Sequence, residues 1–233
     1  AAAGLQDSMP RAALLSIHAR IADTDPGTWS EPPLVQVWGP RYSTYVIAER
    51  DRAVFTLGRL PEDGTARERA EEVASRLAQA VGAERLDVRD AARRVDLHPS
   101  ALRYAAPTGR FVIRWDGARQ PLIWTVPAPE VDPRDARLEL ARRHLHVLGP
   151  STAASFASWA GVRPGVASAT FGALGDELLP VRTPLGDSWI LACDEPAFRS
   201  ADGATSTRLL PSGDTYYLLH GADRELLVPD PAR

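Results

Sequence analysis

With 233 residues, 44% hydrophobic and 24% charged, the chain has the make-up of an ordinary globular protein and the length for more than one buried core. Its net charge of −3 argues against a uniformly basic nucleic-acid binder, yet all 27 basic residues are arginine, whose planar fork suits phosphates and base edges, so local charge decides. No apolar run reaches the roughly 20 residues of a membrane span, no signal-peptide pattern opens the chain, and Cys193 with five scattered histidines supplies neither a disulfide nor zinc-ligand spacing, so a cytoplasmic protein without membrane or metal partners is expected.

In chain order, a helix is predicted over Pro10 to Ile21, a short helix near Leu34 to Trp38 and a strand over Ser43 to Ala48. The chain opens at Ala1 without methionine and enters its first helix almost at once, which suggests a missing preceding segment. From Ala66 to Val81 the apolar positions Ala70, Val73, Leu77, Ala80 and Val81 share one helical face, and Gly82 stops the run. Asp87 can cap a helix over Val88 to Val95, and after Asp96, Leu97 and His98 another begins at Pro99 and runs to about Ala106. Two helices joined by so short a turn have the shape of a helix-turn-helix. Phe111 to Trp115 and Leu122 to Val126 then read as a β-hairpin turned at Asp116 and Gly117, the place of a wing.

The pattern recurs about 70 residues on. Asp132 can cap a helix over Arg134 to Val147, Ser151 a second through Trp159, and Pro164 to Leu174 forms a third. A hairpin follows, with strands Leu178 to Thr183 and Ser188 to Cys193 turned at Leu185, Gly186 and Asp187. Arg199 to Thr207 is a polar linker, and Leu209 to Leu219 and Glu225 to Val228 read as further strands. The expected fold is therefore α+β, built of tandem winged helices. Residues 1–62 are the rear of a first winged helix, 63–130 the second, 131–198 the third, and 199–233 a linker and the start of a β-barrel. Double-stranded DNA is the partner this architecture implies, with the chain acting as a monomer.

Three stretches resemble the winged-helix DNA-binding proteins that include the AlkZ- and YcaQ-like DNA glycosylases. Gly4, Leu5, Gln6, Asp7 and Ser8 are similar to that family's Gly-Leu-Gln-x-Gln segment, which leads into a helix ending here in Ala19 and Arg20. Ala141 to Arg143, Gly149 to Thr152, and Phe156, Trp159 and Gly161 resemble its arginine-rich helix, Gly-Pro-x-Thr cap and Phe-x-x-Trp-x-Gly helix, and Leu210 to Asp214 with Asp223 and Arg224 makes the third likeness. The resemblance implies several winged helices followed by a C-terminal barrel, and removal of alkylated bases, including those in interstrand crosslinks. It also implies water-assisted cleavage of the base–sugar bond by a Gln-x-Gln or Gln-x-Asp pair. Gln6 matches the first position of that pair; Ser8 stands at the second, where the family has Gln or Asp.

The candidate catalytic residues are thus Gln6 and Ser8, because a polar pair that orients water helps a bond whose breaking builds positive charge on the sugar. Capping of the following helix by Asp7 or Ser8 is the other reading of this segment, and both can hold together. For DNA contact the candidates are Arg103 in the recognition helix, Arg110, Arg114 and Arg119 around the wing, and Arg41 with Tyr42 before the early strand; a solvated arginine face is their alternative. Arg142 and Arg143 are expected to pair with Glu139 or Asp135, and Asp214 with Arg224. Trp115, Trp124, Trp159 and Trp189 are expected in the core, Cys193 in a buried strand, and His144 and His146 on diverging sides of a helix. No Gly-rich phosphate loop, Ser-His-Asp set or HExxH motif points to a cofactor or another enzyme class. A non-catalytic lesion recogniser or regulator, and a protein-interaction module, are the rival functions.

Overall fold

The computed structural model describes residues 3–9, 11–25, 27, 33–201 and 207–215. A short strand β1 (Leu5–Gln6) leads to helix α1 (Ala12–His18), and strands β2 (Leu34–Trp38) and β3 (Thr44–Ala48) form a hairpin followed by α2 (Arg52–Thr56). Next come α3 (Gly64–Val81), β4 (Leu86–Asp87), α4 (Val88–Arg94), a 3-10 helix (Pro99–Thr108), β5 (Phe111–Arg114) and β6 (Leu122–Thr125). Last are α5 (Pro133–Leu148), α6 (Ala153–Ala160), α7 (Pro164–Leu174), β7 (Leu178–Thr183), β8 (Gly186–Leu191) and α8 (Glu195–Arg199).

One six-stranded antiparallel sheet, in the order β1-β3-β2-β5-β6-β4, organises the molecule. Successive strand residues point to opposite faces, and here each face meets a different core. Val37 and Val112 join Tyr45, Phe55, Leu140, Phe156, Trp159 and Phe171 on one side. Their chain neighbours Trp38, Phe111 and Ile113 join Val73, Leu77, Leu102 and Ile123 on the other. The sheet is therefore the common wall of two cores, covered by α5 to α7 on one face and by α3, α4 and the 3-10 helix on the other.

The order helix, short strand, helix, helix, hairpin appears twice. In the first instance β4 pairs with the second hairpin strand, Leu86 opposite Ile123. In the second, Ser151 makes a single antiparallel bridge to Trp189, again in the second hairpin strand. Local signals behave as read: Asp87 Oδ1 accepts from Arg89 N at 2.7 Å, and Asp132 Oδ1 from Arg134 N at 2.7 Å.

Several expectations need correction. Leu34 to Trp38 is a strand rather than a short helix, because β-branched Val35 and Val37 alternate with Gln36 and the run pairs along its whole length with β3. The first helix is shorter than expected, since Arg11 takes a left-handed φ of 63° and helical geometry begins only at Ala12. The run from Pro99 is a 3-10 helix that contains Pro107, which has no N–H to give. Thr152, not Ser151, caps α6, accepting from Ser155 N at 3.1 Å; Ser151 is spent on the bridge to Trp189 and on His144 Nε2 at 2.9 Å. The last hairpin turns at Pro184 and Leu185, with Thr183 opposite Gly186, so β8 ends at Leu191. Cys193 is thereby left exposed in a 3-10 turn, and Trp189 is 38% exposed. Trp159 is buried, and Trp115 and Trp124 are half-buried.

Leu209 to Thr215 contains a turn at Ser212 and Gly213 and no strand, and among the described residues there is no closed barrel. The rest of that expected strand, Glu225 to Val228 and Arg224 lie outside the described residues. Asp214 instead receives two bonds from Arg20, at 2.7 and 2.8 Å, and one from Ser16 Oγ. Arg143 pairs with Glu139, as expected, and with Asp51; Arg142 pairs with Glu139 and Glu177.

Candidate functional site

Strand β1 lies on the sheet edge with Gln6 opposite Tyr45, and the Gln6 N–H donates to Thr215 Oγ1 at 3.1 Å. Gln6 is buried, 6% exposed, and both polar atoms of its side chain are bonded. Its Oε1 accepts from Arg41 Nη2 at 2.9 Å and from Tyr45 Oη at 3.4 Å, while its Nε2 donates to Ser8 Oγ at 3.0 Å. A guanidinium can only donate, so the oxygen of the amide must face Arg41 and its NH2 must face Ser8. Ser8 Oγ therefore accepts from Gln6 and keeps its own O–H, at an exposed position, for whatever sits outside.

Asp7 sits between them and turns inward. Its Oδ1 accepts from Ala13 N at 3.0 Å, in the first turn of α1, and its Oδ2 from Gln36 Nε2 at 2.8 Å. Burial pushes the Asp7 carboxyl above its usual range, against the bonds from Ala13 and Gln36 and the charge of Arg114. The helix-capping reading thus holds for Asp7, and the alternation of the strand leaves Gln6 and Ser8 side by side.

Gln36 ties this segment to the next hairpin. Its Oε1 accepts from Trp115 N at 2.6 Å and its Nε2 donates also to Trp115 O at 3.2 Å. Arg41 stands in the β2–β3 loop, where Arg41 and Tyr42 both adopt left-handed backbone, φ 54° and 57°. That geometry is costly for residues with a Cβ and is held by Tyr42 N to Gly39 O and Ser43 N to Pro40 O, 2.9 and 3.1 Å.

Ser8 opens onto a cavity of about 330 Å³ lined also by Trp38, Thr44, Arg103, Trp115 and Arg119. Around it, cations and rings interleave. Arg103 lies 5.9 Å from the Trp38 ring centre and donates to Tyr42 O at 3.3 Å; Tyr42 meets Tyr104 edge-on; Arg59 sits 4.9 Å over Tyr42 and Arg69 3.8 Å over Tyr104. Arg59 is buried, donating to Ala160 O and Trp38 O, and burial lowers its pKa to about 10, so it stays charged at neutral pH.

Six of the eight expected site residues, Gln6, Ser8, Arg41, Tyr42, Arg103 and Arg119, thus gather in one place. Arg110 is elsewhere, paired with Glu71 of α3 at 2.5 Å, and Arg114 is half-buried beside Asp7 and Asp116. Gln36, Trp38 and Tyr45 escaped the sequence reading. The one hint was a glutamine inside an otherwise apolar Leu-Val-Gln-Val-Trp run. Among the described residues there is no group of three His, Cys, Asp or Glu that could hold a metal, and no helix long and apolar enough to cross a membrane.

Comparison with known proteins adds to this geometry. The chain is similar in structure to the Streptomyces sahachiroi DNA glycosylase AlkZ, with a TM-score of 0.73 and 18% sequence identity over 93% of this chain and 68% of that one. At that identity the likeness establishes a shared mixed fold of helices and antiparallel sheets. No curated protein matches the chain. The family described as DNA glycosylase AlkZ-like matches residues 2–233, and by that nearly complete coverage the chain belongs to the AlkZ-like DNA glycosylase family.

Proposed function

We propose that this chain binds duplex DNA and acts as a repair glycosylase, cleaving the bond between an alkylated base and its sugar at Gln6 and Ser8. The observation that carries this reading is the joining of a locked Gln6–Ser8 pair to a cavity rimmed by Arg103 and Arg119. In this reading residues 63–130 and 131–198 are winged helices, 1–62 the rear of an earlier one, and 199–233 the approach to a barrel. Their recurring element order and the matching pairings of β4 and Ser151 support that division.

The chemistry follows from the hydrogen-bond assignment. The base departs with the electrons of the glycosidic bond, positive charge builds on the sugar, and a water oxygen adds to the anomeric carbon while its proton passes to solvent. Arg41 and Tyr45 occupy the Gln6 carbonyl and fix the amide; Ser8 is the group of the pair left to hold the water. Arg41, Arg103 and Arg119 hold phosphates near the same point.

A second reading, a lesion recogniser that does not cleave, is favoured by one feature. Arg41 places a cation against Gln6, and Ser8 is uncharged where a carboxylate would offset positive charge on the sugar. Base release from defined duplexes carrying N7- or N3-alkylpurines separates the two. The first reading expects abasic product from the wild type and a loss of about 100-fold or more in Gln6→Ala. No product from the wild type, where a related glycosylase works, overturns it; product appearing only in Ser8→Gln establishes the second.

A further inference from the structure

Strand β1 carries Gln6 but holds to the sheet on one side only, through two residue pairs with β3. A strand with so few bonds opens locally at little cost unless something closes its other edge. The Gln6 N–H and the Gly4 C=O face that edge, and one side chain meets both. Thr215 Oγ1 accepts from Gln6 N at 3.1 Å and donates to Gly4 O at 3.3 Å, a double role open to a hydroxyl and closed to a carboxylate or a methyl group. Thr215 comes from 209 residues away in the chain and is anchored by its neighbours. Asp214 is fully buried, with Arg20 on both carboxylate oxygens at 2.7 and 2.8 Å and Ser16 Oγ at 2.5 Å. Gly213 lies so near α1 that a Cβ there would stand 3.1 Å from the Ala12 Cβ.

We propose that Thr215 is a positioning residue for the Gln6–Ser8 pair, standing in for a neighbouring strand and held in place by Asp214 with Arg20 and Ser16; the inference rests on the glycosylase reading above. Gln6 is then set from two ends. Arg41 and Tyr45 fix the tip of its side chain, and Thr215 fixes the backbone from which that side chain springs. Thr215 is buried and its hydroxyl is spent on the two backbone groups, so it acts through β1 and not on a substrate. Its effect falls on the placement of Ser8 and of the water that Ser8 holds, where an error near 1 Å costs about a hundredfold in rate. Duplex affinity, carried by Arg103 and Arg119 on other segments, does not pass through this contact.

Single-turnover base release from duplexes carrying N7- or N3-alkylpurines, with the full chain in excess, separates placement from binding. Thr215→Val keeps the shape and removes the hydroxyl; it is expected to slow release about ten- to a hundredfold while duplex affinity, read by anisotropy, stays within about twofold. Thr215→Ser, which restores the hydroxyl, is expected to recover most of the rate. Val73→Ala, in the core on the far face of the sheet, lowers stability without touching β1 and is expected to keep the wild-type rate. A Thr215→Val variant at the wild-type rate, a Thr215→Ser variant as slow as Thr215→Val, equal losses of rate and affinity, or a Val73→Ala variant as slow as Thr215→Val overturns the positioning role while the glycosylase reading stands. A wild type that releases no base overturns both.

Discussion

Residues 64–125 and 133–191 repeat one order of elements, yet they meet the Gln6 site differently, the first through its hairpin and the second from behind, where Gly161 packs against the Arg41 backbone. The first hairpin is absorbed into the six-stranded sheet and clamped by Gln36 to the segment that carries Asp7. The second hairpin stays a separate two-stranded ribbon, with one bridge to Ser151 and with Trp189 partly exposed. The helices before the hairpins differ as sharply: the 3-10 helix presents Arg103, whereas α7 has no charged residue from Pro164 to Leu174. Shared architecture therefore does not imply shared work. Each repeat packs a core on its own face of the sheet, and under the proposed reading it is the first that presents its arginines to DNA.

The largest test of that division is Phe156→Ala. Phe156 is fully buried among His144, Trp159 and Phe171, in the core that also holds Tyr45, the residue bonded to Gln6. A loss of about 3–5 kcal/mol in unfolding free energy is expected from urea denaturation. Because that core crosses from the second repeat to the sheet, a single transition should shift as a whole. A separate early transition with the remainder unmoved would mean that the repeats are independent.

Acid sharpens the comparison, since buried His144 of the second repeat and buried Asp7, tied through Gln36 to the first repeat's hairpin, respond with opposite sign. His144 lies in α5, and burial pushes its pKa down to about 3. Above the unfolded value of about 6.5 it is neutral in both states. As the pH falls below that, the unfolded chain takes up a proton that the folded one refuses, and stability declines by up to about 1.4 kcal/mol per unit until about pH 3. Asp7 has a raised pKa, so the folded state holds its proton more tightly, and lowering the pH through that window relieves the cost of burying its charge. Unfolding midpoints at pH 7 and 4.5 should fall markedly in the wild type and less in His144→Gln; equal declines would remove His144 as the cause.

The smallest effect is on binding. Arg103→Ala is expected to weaken duplex affinity by about tenfold and to reduce the salt slope by about one. Arg182→Ala, in the second hairpin and paired with Asp187 at 3.4 Å, is expected to change neither. The reverse ranking, read by anisotropy between low and moderate salt, would transfer the DNA-facing role to the second repeat.

Much of this was legible in the sequence, because it is written in local rules. The face of Ala70, Val73, Leu77 and Val81, the caps at Asp87 and Asp132, and the start and end of α7 all follow from neighbours a few residues apart. What escaped depends on distant pairing. Leu34 to Trp38 becomes a strand only with β3 beside it, and Gln36 becomes a hub only when Asp7 and Trp115 arrive from 29 and 79 residues away. At the site, Gln6 and Ser8 could be named from the short segment they share. The role of Arg41 could not, since it needs a left-handed loop to fold back onto β1.

The sheet with a different core on each face has a consequence for dissecting the protein. A fragment ending near residue 130 would keep every strand of that layer while leaving Val37, Tyr45, Phe55 and Val112 open to water along one side. Such a piece should aggregate or bind detergent even though its own repeat is intact. Studies of the first repeat therefore need α5 to α7 retained as a lid of hydrocarbon.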